Sequence, residues 1–105
     1  MEINQEIIDI TEAIKRVIPV ERIYLFGSHA YGAPHKDSDY DFFIVIPDDS
    51  MSRLDAVKKV HKAIILKDTP VDILADYKSK FDYRKDYNTL ERKIFNEGVV
   101  LYEQA

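Results

Sequence analysis

Two short apolar runs joined through a glycine corner constrain this chain more than any other feature. Residues 22–26, Arg-Ile-Tyr-Leu-Phe, are β-branched and aromatic enough to read as a buried strand, and they stop at Gly27-Ser28. Residues 42–46, Phe-Phe-Ile-Val-Ile, read as a second buried strand, preceded by Asp39-Tyr40-Asp41, which begins eleven residues beyond Ser28. The chain must therefore deliver one strand into a flexible corner and start the next with two carboxylates. A side-chain period of two puts Asp39 and Asp41 on one face. Gly27 allows close backbone approach to a ligand, and Ser28 can begin a short helical turn whose N–H groups and hydroxyl face outward, which predicts a phosphate cradle. Two carboxylates held that close repel one another unless a cation lies between them, and hard oxygen ligands beside a phosphate favour Mg²⁺. Asp39 and Asp41 are thus candidate metal ligands, and Gly27 and Ser28 candidate nucleotide-binding residues.

The order of elements separates this pair from other Asp-x-Asp sites. A phosphatase of the haloacid dehalogenase type, or a nucleotide-sugar glycosyltransferase, would carry its aspartates after the apolar strand; here the strand follows the pair. The Gly-Ser corner, the spacing and the Asp-x-Asp-apolar run together resemble the signature of the DNA polymerase beta-like nucleotidyltransferase superfamily, and within it the chain looks most like the minimal nucleotidyltransferases. The resemblance spans nearly the whole chain, although its specific part is Gly27 to Asp41. It implies an α/β fold, a small mixed β-sheet with helices packed mainly on one face, like the polymerase beta palm, over a single nucleotidyltransferase domain of residues 1–105. It also implies nucleotidyl transfer with two Mg²⁺ ions, ATP as donor, and a third carboxylate on a neighbouring strand.

Asp72, the one charge in the apolar run 70–75, is the candidate for that third carboxylate. In isolation it would read as an edge residue reaching water, and Asp76 is the next acid in line. Asp39, Asp41 and Asp72 then form the implied catalytic and metal-binding set, with Asp72 on the ion nearer the acceptor. Tyr31 departs from the family pattern, where many relatives carry a basic residue between the Ala and the second Gly, and it leaves base preference open. The minimal-nucleotidyltransferase resemblance further implies an antitoxin paired with a HEPN-domain (higher eukaryotes and prokaryotes nucleotide-binding) toxin, which would be adenylylated on a tyrosine. Two alternatives stand beside it. One is a stand-alone enzyme modifying a small molecule such as an aminoglycoside, whose relatives generally carry a further domain. The other is a non-catalytic module that binds a partner, a reading that degraded carboxylates would favour and intact ones do not.

The 105 residues suit one domain with one core, and a separate substrate-binding domain does not fit. With no cysteines, neither disulfides nor thiolate metal sites are available. The longest apolar run, 42–46, is far short of a membrane span, and the Met1-Glu2 beginning lacks the basic flank of a signal peptide, so the expectation is a soluble cytoplasmic protein. A net charge of −4 disfavours nucleic acid as the main partner, while a homo-oligomer stays open.

Elsewhere the pattern predicts packing rather than chemistry. Ile3, Ile7, Ile10, Ile14 and Val17 form the stripe of an amphipathic helix over residues 3–18, ended by Pro19. A break at 47–50 offers Asp49 or Ser50 as N-cap of a helix over 51–66, with Leu54, Val57, Val60 and Ile64 inward and Lys58, Lys59, Lys62 and Lys67 as a solvated flank. Residues 77–87 read as a loop or irregular helical stretch beside the site. Segment 78–93 carries six basic residues against three acids and is expected to be solvated. Asn88 with Glu91 suggests a capping box for a last helix, with Leu90, Ile94 and Phe95 as its packed face and Gly98 as its stop, before a last strand or extended edge at 99–102.

Overall fold

Isoleucines at helical spacing need a surface to bury against, and the sheet that supplies it is built around the 42–46 run. The computed structural model describes residues 3–31, 39–65 and 70–104. Its elements run α1 (Gln5–Val17), β1 (Arg22–Phe26), α2 (Ser28–Tyr31), β2 (Tyr40–Ile46), α3 (Arg53–Ala63), β3 (Val71–Tyr77), α4 (Lys78–Arg84), α5 (Leu90–Glu97) and β4 (Val99–Glu103). Among the described residues, no helix is long and apolar enough to cross a membrane.

The Asn4 side chain starts α1 by accepting the Ile7 N–H at 2.8 Å, and its amide nitrogen donates to the Tyr40 hydroxyl at 3.0 Å, tying the helix to β2. Ile7, Ile10 and Ile14 are buried, whereas Ile3 and Val17, at the ends of the predicted stripe, are partly exposed. The buried Thr11 hydroxyl is satisfied by donating to the Ile7 carbonyl at 2.8 Å.

The sheet is mixed, in the order β3-β2-β1-β4, with β1 antiparallel to both β2 and β4 and β2 parallel to β3. A parallel pair needs a crossover, which α3 provides. Strand alternation then sorts the side chains. Ile23, Leu25, Phe42, Ile44, Ile46 and Ile73 point to the side of α1 and α3, where Ala56, Val60 and Ile64 complete the larger core. Tyr24, Phe43 and Val45 point the other way and are closed over by Phe81 of α4 and Ile94 of α5. The Phe81 ring centroid lies 5.5 Å from that of Tyr24 and 5.4 Å from that of Phe43. Covered on both faces, β2 has to be apolar throughout its length, which is why it stands out as an uninterrupted run.

Several local expectations are corrected. Ser52, rather than Asp49 or Ser50, caps α3, accepting the Asp55 N–H at 3.1 Å. Ser50 instead closes a turn on the Pro47 carbonyl, through its N–H at 3.3 Å and its hydroxyl at 2.6 Å, with Asp49 in the left-handed region at φ 62°. Leu54, in the first turn of α3, is 63% exposed, and Ala56 is buried in the place predicted for it. Leu66 and Lys67 lie outside the described residues. Thr89, rather than Asn88, caps α5, accepting the Arg92 N–H at 3.1 Å while its hydroxyl donates to the Arg84 carbonyl at 2.7 Å. Leu90 and Phe95 are exposed, and the buried Glu91 meets Arg84 at 2.6 Å instead of bonding back to the cap.

Residues 78–84 form a helix whose one acid, Asp82, pairs with Arg22 and Lys78; just beyond it, Asp86 lies 4.0 Å from Lys85. Because Ser52 caps α3, Ser52→Ala is expected to lower stability by about 1 kcal/mol in urea unfolding. Asp49→Gly, which suits the left-handed backbone, should not lower it. A larger loss at 49 than at 52 would return the cap to the turn.

Candidate active site

The corner after β1 turns because Gly27 adopts φ 76°, a region other residues enter with strain, and its carbonyl accepts the Ala30 N–H at 3.0 Å to start the short helix α2 at Ser28. Gly27 is also needed for space. A Cβ there would overlap the Asp41 Oδ2 atom and come within 3.0 Å of its Cγ. The glycine corner and the second aspartate of the pair are thus in direct contact, a relation that spacing alone did not reveal.

Asp41 stands opposite Phe26 on β1 and opposite Asp72 on β3, so β2 carries it at the centre of the three strands. Asp39 precedes β2 by one residue and shares the parity of Asp41. Asp41 is half-buried, and Asp72 is exposed on the outer strand. Burial first, then the charges of Asp72 and Asp39, push the Asp41 carboxyl above the ordinary carboxylate range; His29 acts in the opposite sense, and a hydrogen bond with Asp72 adds to the rise. His29, from α2, lies with its ring centroid 4.5 Å from that of Tyr40. Sequence reading gave His29 no role; its place directly after Ser28 was the only available signal.

Among the described residues, no three His, Cys, Asp or Glu side chains are placed so that together they could hold a metal ion. The chemistry of the set nevertheless suits a hard cation: the charges of Asp72 and Asp39 bear on the half-buried Asp41 at one end of the sheet, a repulsion that a divalent ion would relieve. Asp76, the reserve candidate, is differently employed. It is 3% exposed, its carboxylate accepts the Tyr77 N–H at 2.8 Å and lies 3.9 Å from Arg53, and four residues of strand set it about 13 Å from Asp72 at ~3.3 Å per residue.

The 77–87 stretch, expected beside the site, follows the opposite end of β3, because the strand runs five residues past Asp72 before α4 begins. The Tyr31 side chain and residues 32–38, between the corner and Asp39, lie outside the described residues.

A family model described as polymerase beta, nucleotidyltransferase matches residues 5–105. Among solved structures, a mutant form of the toxin–antitoxin MntA–HpeT superposes with a TM-score of 0.60 at 21% identity, covering 97% of this chain and 75% of that one. A second mutant form of the same pair gives 0.61 at 23% identity, with 98% and 75% covered. A toxin–antitoxin structure with AMP-PNP gives 0.59 at 24%, with 90% and 71% covered. No curated protein matches the chain. The structural likeness is one of fold.

Proposed function

The chain belongs to the polymerase beta nucleotidyltransferase family, and we propose that it is a Mg²⁺-dependent enzyme that transfers AMP from ATP to a tyrosine of a HEPN-domain toxin, acting as the antitoxin of the pair. The observation that carries this reading is the contact of Asp41 with Gly27 on one side and its pairing with Asp72 on the other. It brings the corner proposed to bind phosphate next to the carboxylates proposed to hold the metal, which supports phosphoryl chemistry at this end of the sheet. The toxin–antitoxin relatives, one of them with AMP-PNP, support the choice of partner and of adenine nucleotide.

In this reading Gly27 and Ser28 hold the β and γ phosphates, and the aspartates orient the two reacting oxygens across the α-phosphorus. Asp39 and Asp41 would hold two Mg²⁺ ions, and Asp72 the one nearer the acceptor. When bound, the ions supply Lewis-acid chemistry that acidifies the attacking hydroxyl and neutralises charge on the triphosphate. The tyrosine oxygen forms a bond to the α-phosphorus, the bond from that phosphorus to the β-phosphate oxygen breaks, pyrophosphate leaves and the phenolic proton passes to solvent. His29 lies close enough to favour the ionised form of Asp41.

Asp72→Ala tests the division of labour. Nucleotide binding should fall by less than about tenfold, while turnover should fall by about 10²–10³-fold, because the acceptor-side carboxylate acts mainly in the transition state. Titration calorimetry of ATP with and without Mg²⁺, beside intact-mass measurement of the co-expressed toxin, separates the two effects. Unchanged turnover would remove Asp72 from the site. Labelling of an aminoglycoside in preference to the toxin would move the function to the small-molecule alternative.

A further inference from the structure

Tyr40 separates the two aspartates of the pair, and α1, α2 and the approach to β3 all converge on it. Its N–H bonds the Pro70 carbonyl at 3.0 Å, and pairing with β3 begins at this residue, opposite Val71, which leaves Asp39 just outside the ladder. Its ring is buried in the larger core, with the His29 ring of α2 tilted against it at 4.5 Å between centroids. Its hydroxyl accepts the Asn4 side-chain amide at 3.0 Å. Asn4 is used at both ends of its amide, because its oxygen accepts the Ile7 N–H at 2.8 Å as the cap of α1. Consecutive strand residues point to opposite faces, so the corner after β1 grips the start of β2 from both sides: Gly27 against Asp41 on one face, His29 against Tyr40 on the other. Packing alone would be served by a phenylalanine at position 40. A buried phenol needs a partner for its hydroxyl, and the bond that supplies one also fixes where the ring sits.

We propose that Asn4 and Tyr40 are positioning residues for the metal pair: their hydrogen bond holds the start of β2 so that Asp39 and Asp41 face one Mg²⁺ locus beside the Gly27 corner. The inference rests on the nucleotidyl-transfer reading above and adds to it two residues that touch neither nucleotide nor metal. The ladder by itself orders Asp41 but begins one residue too late for Asp39. A ring fixed between them sets the backbone from which both carboxylates project. The anchor is firm because it comes from a residue 36 positions earlier that is itself held by its helix. Losing the bond leaves the sheet paired and frees only the first residue of the strand, so the cost falls on cation affinity. Outer partners of metal ligands are worth about 10–100-fold in affinity, and a pair that acts through the backbone belongs at the low end of that range.

Tyr40→Phe removes the hydroxyl and keeps the ring, and Asn4→Ser keeps a competent cap that is too short to reach Tyr40. Titration calorimetry of AMP-PNP, once with excess Mg²⁺ and once with a chelator, beside melting curves of the metal-free proteins, reads cation binding and fold separately. Each variant should bind the Mg²⁺ complex about tenfold more weakly, with its metal-free AMP-PNP affinity unchanged. The double variant should bind it no more weakly than either single one, because both remove the same bond. Ser52→Ala, which loses a bond of similar worth at the start of α3, is the control: it should melt lower by a comparable margin and keep the wild-type gain from Mg²⁺. A full gain from Mg²⁺ in either folded variant, losses that add in the double variant, an equal loss in Ser52→Ala, or unfolding of both single variants would assign the bond to the fold alone and overturn the proposal. A wild type whose AMP-PNP binding gains nothing from Mg²⁺ would overturn the transfer reading, and the positioning proposal with it.

Discussion

Asp41→Asn is expected to lower nucleotidyl transfer by about 10²–10³-fold or more while raising the melting temperature of the metal-free protein. Both effects come from one environment. Asp41 is half-buried beside Asp72 and Asp39, and its carboxyl is pushed up by burial and by their charges. The folded state therefore holds the proton more tightly than the unfolded chain does. Below the ordinary carboxylate range the group is protonated in both states and costs nothing; as pH rises through the raised value, the folded state bears an ionisation that the unfolded chain accepts freely. Asparagine keeps the shape and removes that penalty. The variant should thus match the wild type near pH 3 and exceed it near pH 7 on the approximate scale set by ordinary carboxylates. Adding Mg²⁺ should stabilise the wild type alone. Melting curves across that range, with and without Mg²⁺, give the comparison. A metal-free variant less stable than wild type at neutral pH would mean that Asp41 serves the fold rather than an ion.

Gly27→Ala should damage both stability and activity. A non-glycine residue at φ 76° costs about 1–2 kcal/mol, and the new methyl occupies the space of the Asp41 carboxylate. The carboxylate must move, so transfer should fall by about 10²-fold, in line with the sensitivity of such chemistry to ~1 Å displacements. Gly98→Ala is the control: its φ of −71° carries no such strain, and its crowding is against the carbonyls of Ile94 and Leu25, away from the acids. It should cost stability and leave the chemistry per folded molecule intact. A double-mutant cycle between Gly27→Ala and Asp41→Asn reads the contact directly, because touching residues couple and distant ones add. Strict additivity would mean the two do not meet.

The misplaced helix starts have a common cause. Asp49, Ser50 and Ser52 are all competent caps, as are Asn88 and Thr89, and residue type does not rank them. The choice was made by the Pro47 turn, which occupies Ser50, and by the Arg84 carbonyl, which orients Thr89. Leu54 was assigned inward by period, yet the first turn of α3 leaves it over the open groove beside β3 rather than over the core.

What the sequence determined by itself is what depends on neighbours a few residues away: the two buried strands, the glycine corner between them, the shared parity of Asp39 and Asp41, and the apolar stripe of α1. Each follows from backbone geometry that local residues impose. The tertiary structure alone decided that Asp72, thirty-one residues after Asp41, stands directly opposite it, that Gly27 makes room for the Asp41 carboxylate, and that α4 starts at the far end of β3. Periodicity states which face of an element is apolar but not which element will cover it. Register between strands joined by a helix is set by how that helix packs, and the pairing of Asp41 with Asp72 is a product of the α3 crossover seating Ala56, Val60 and Ile64 on the sheet.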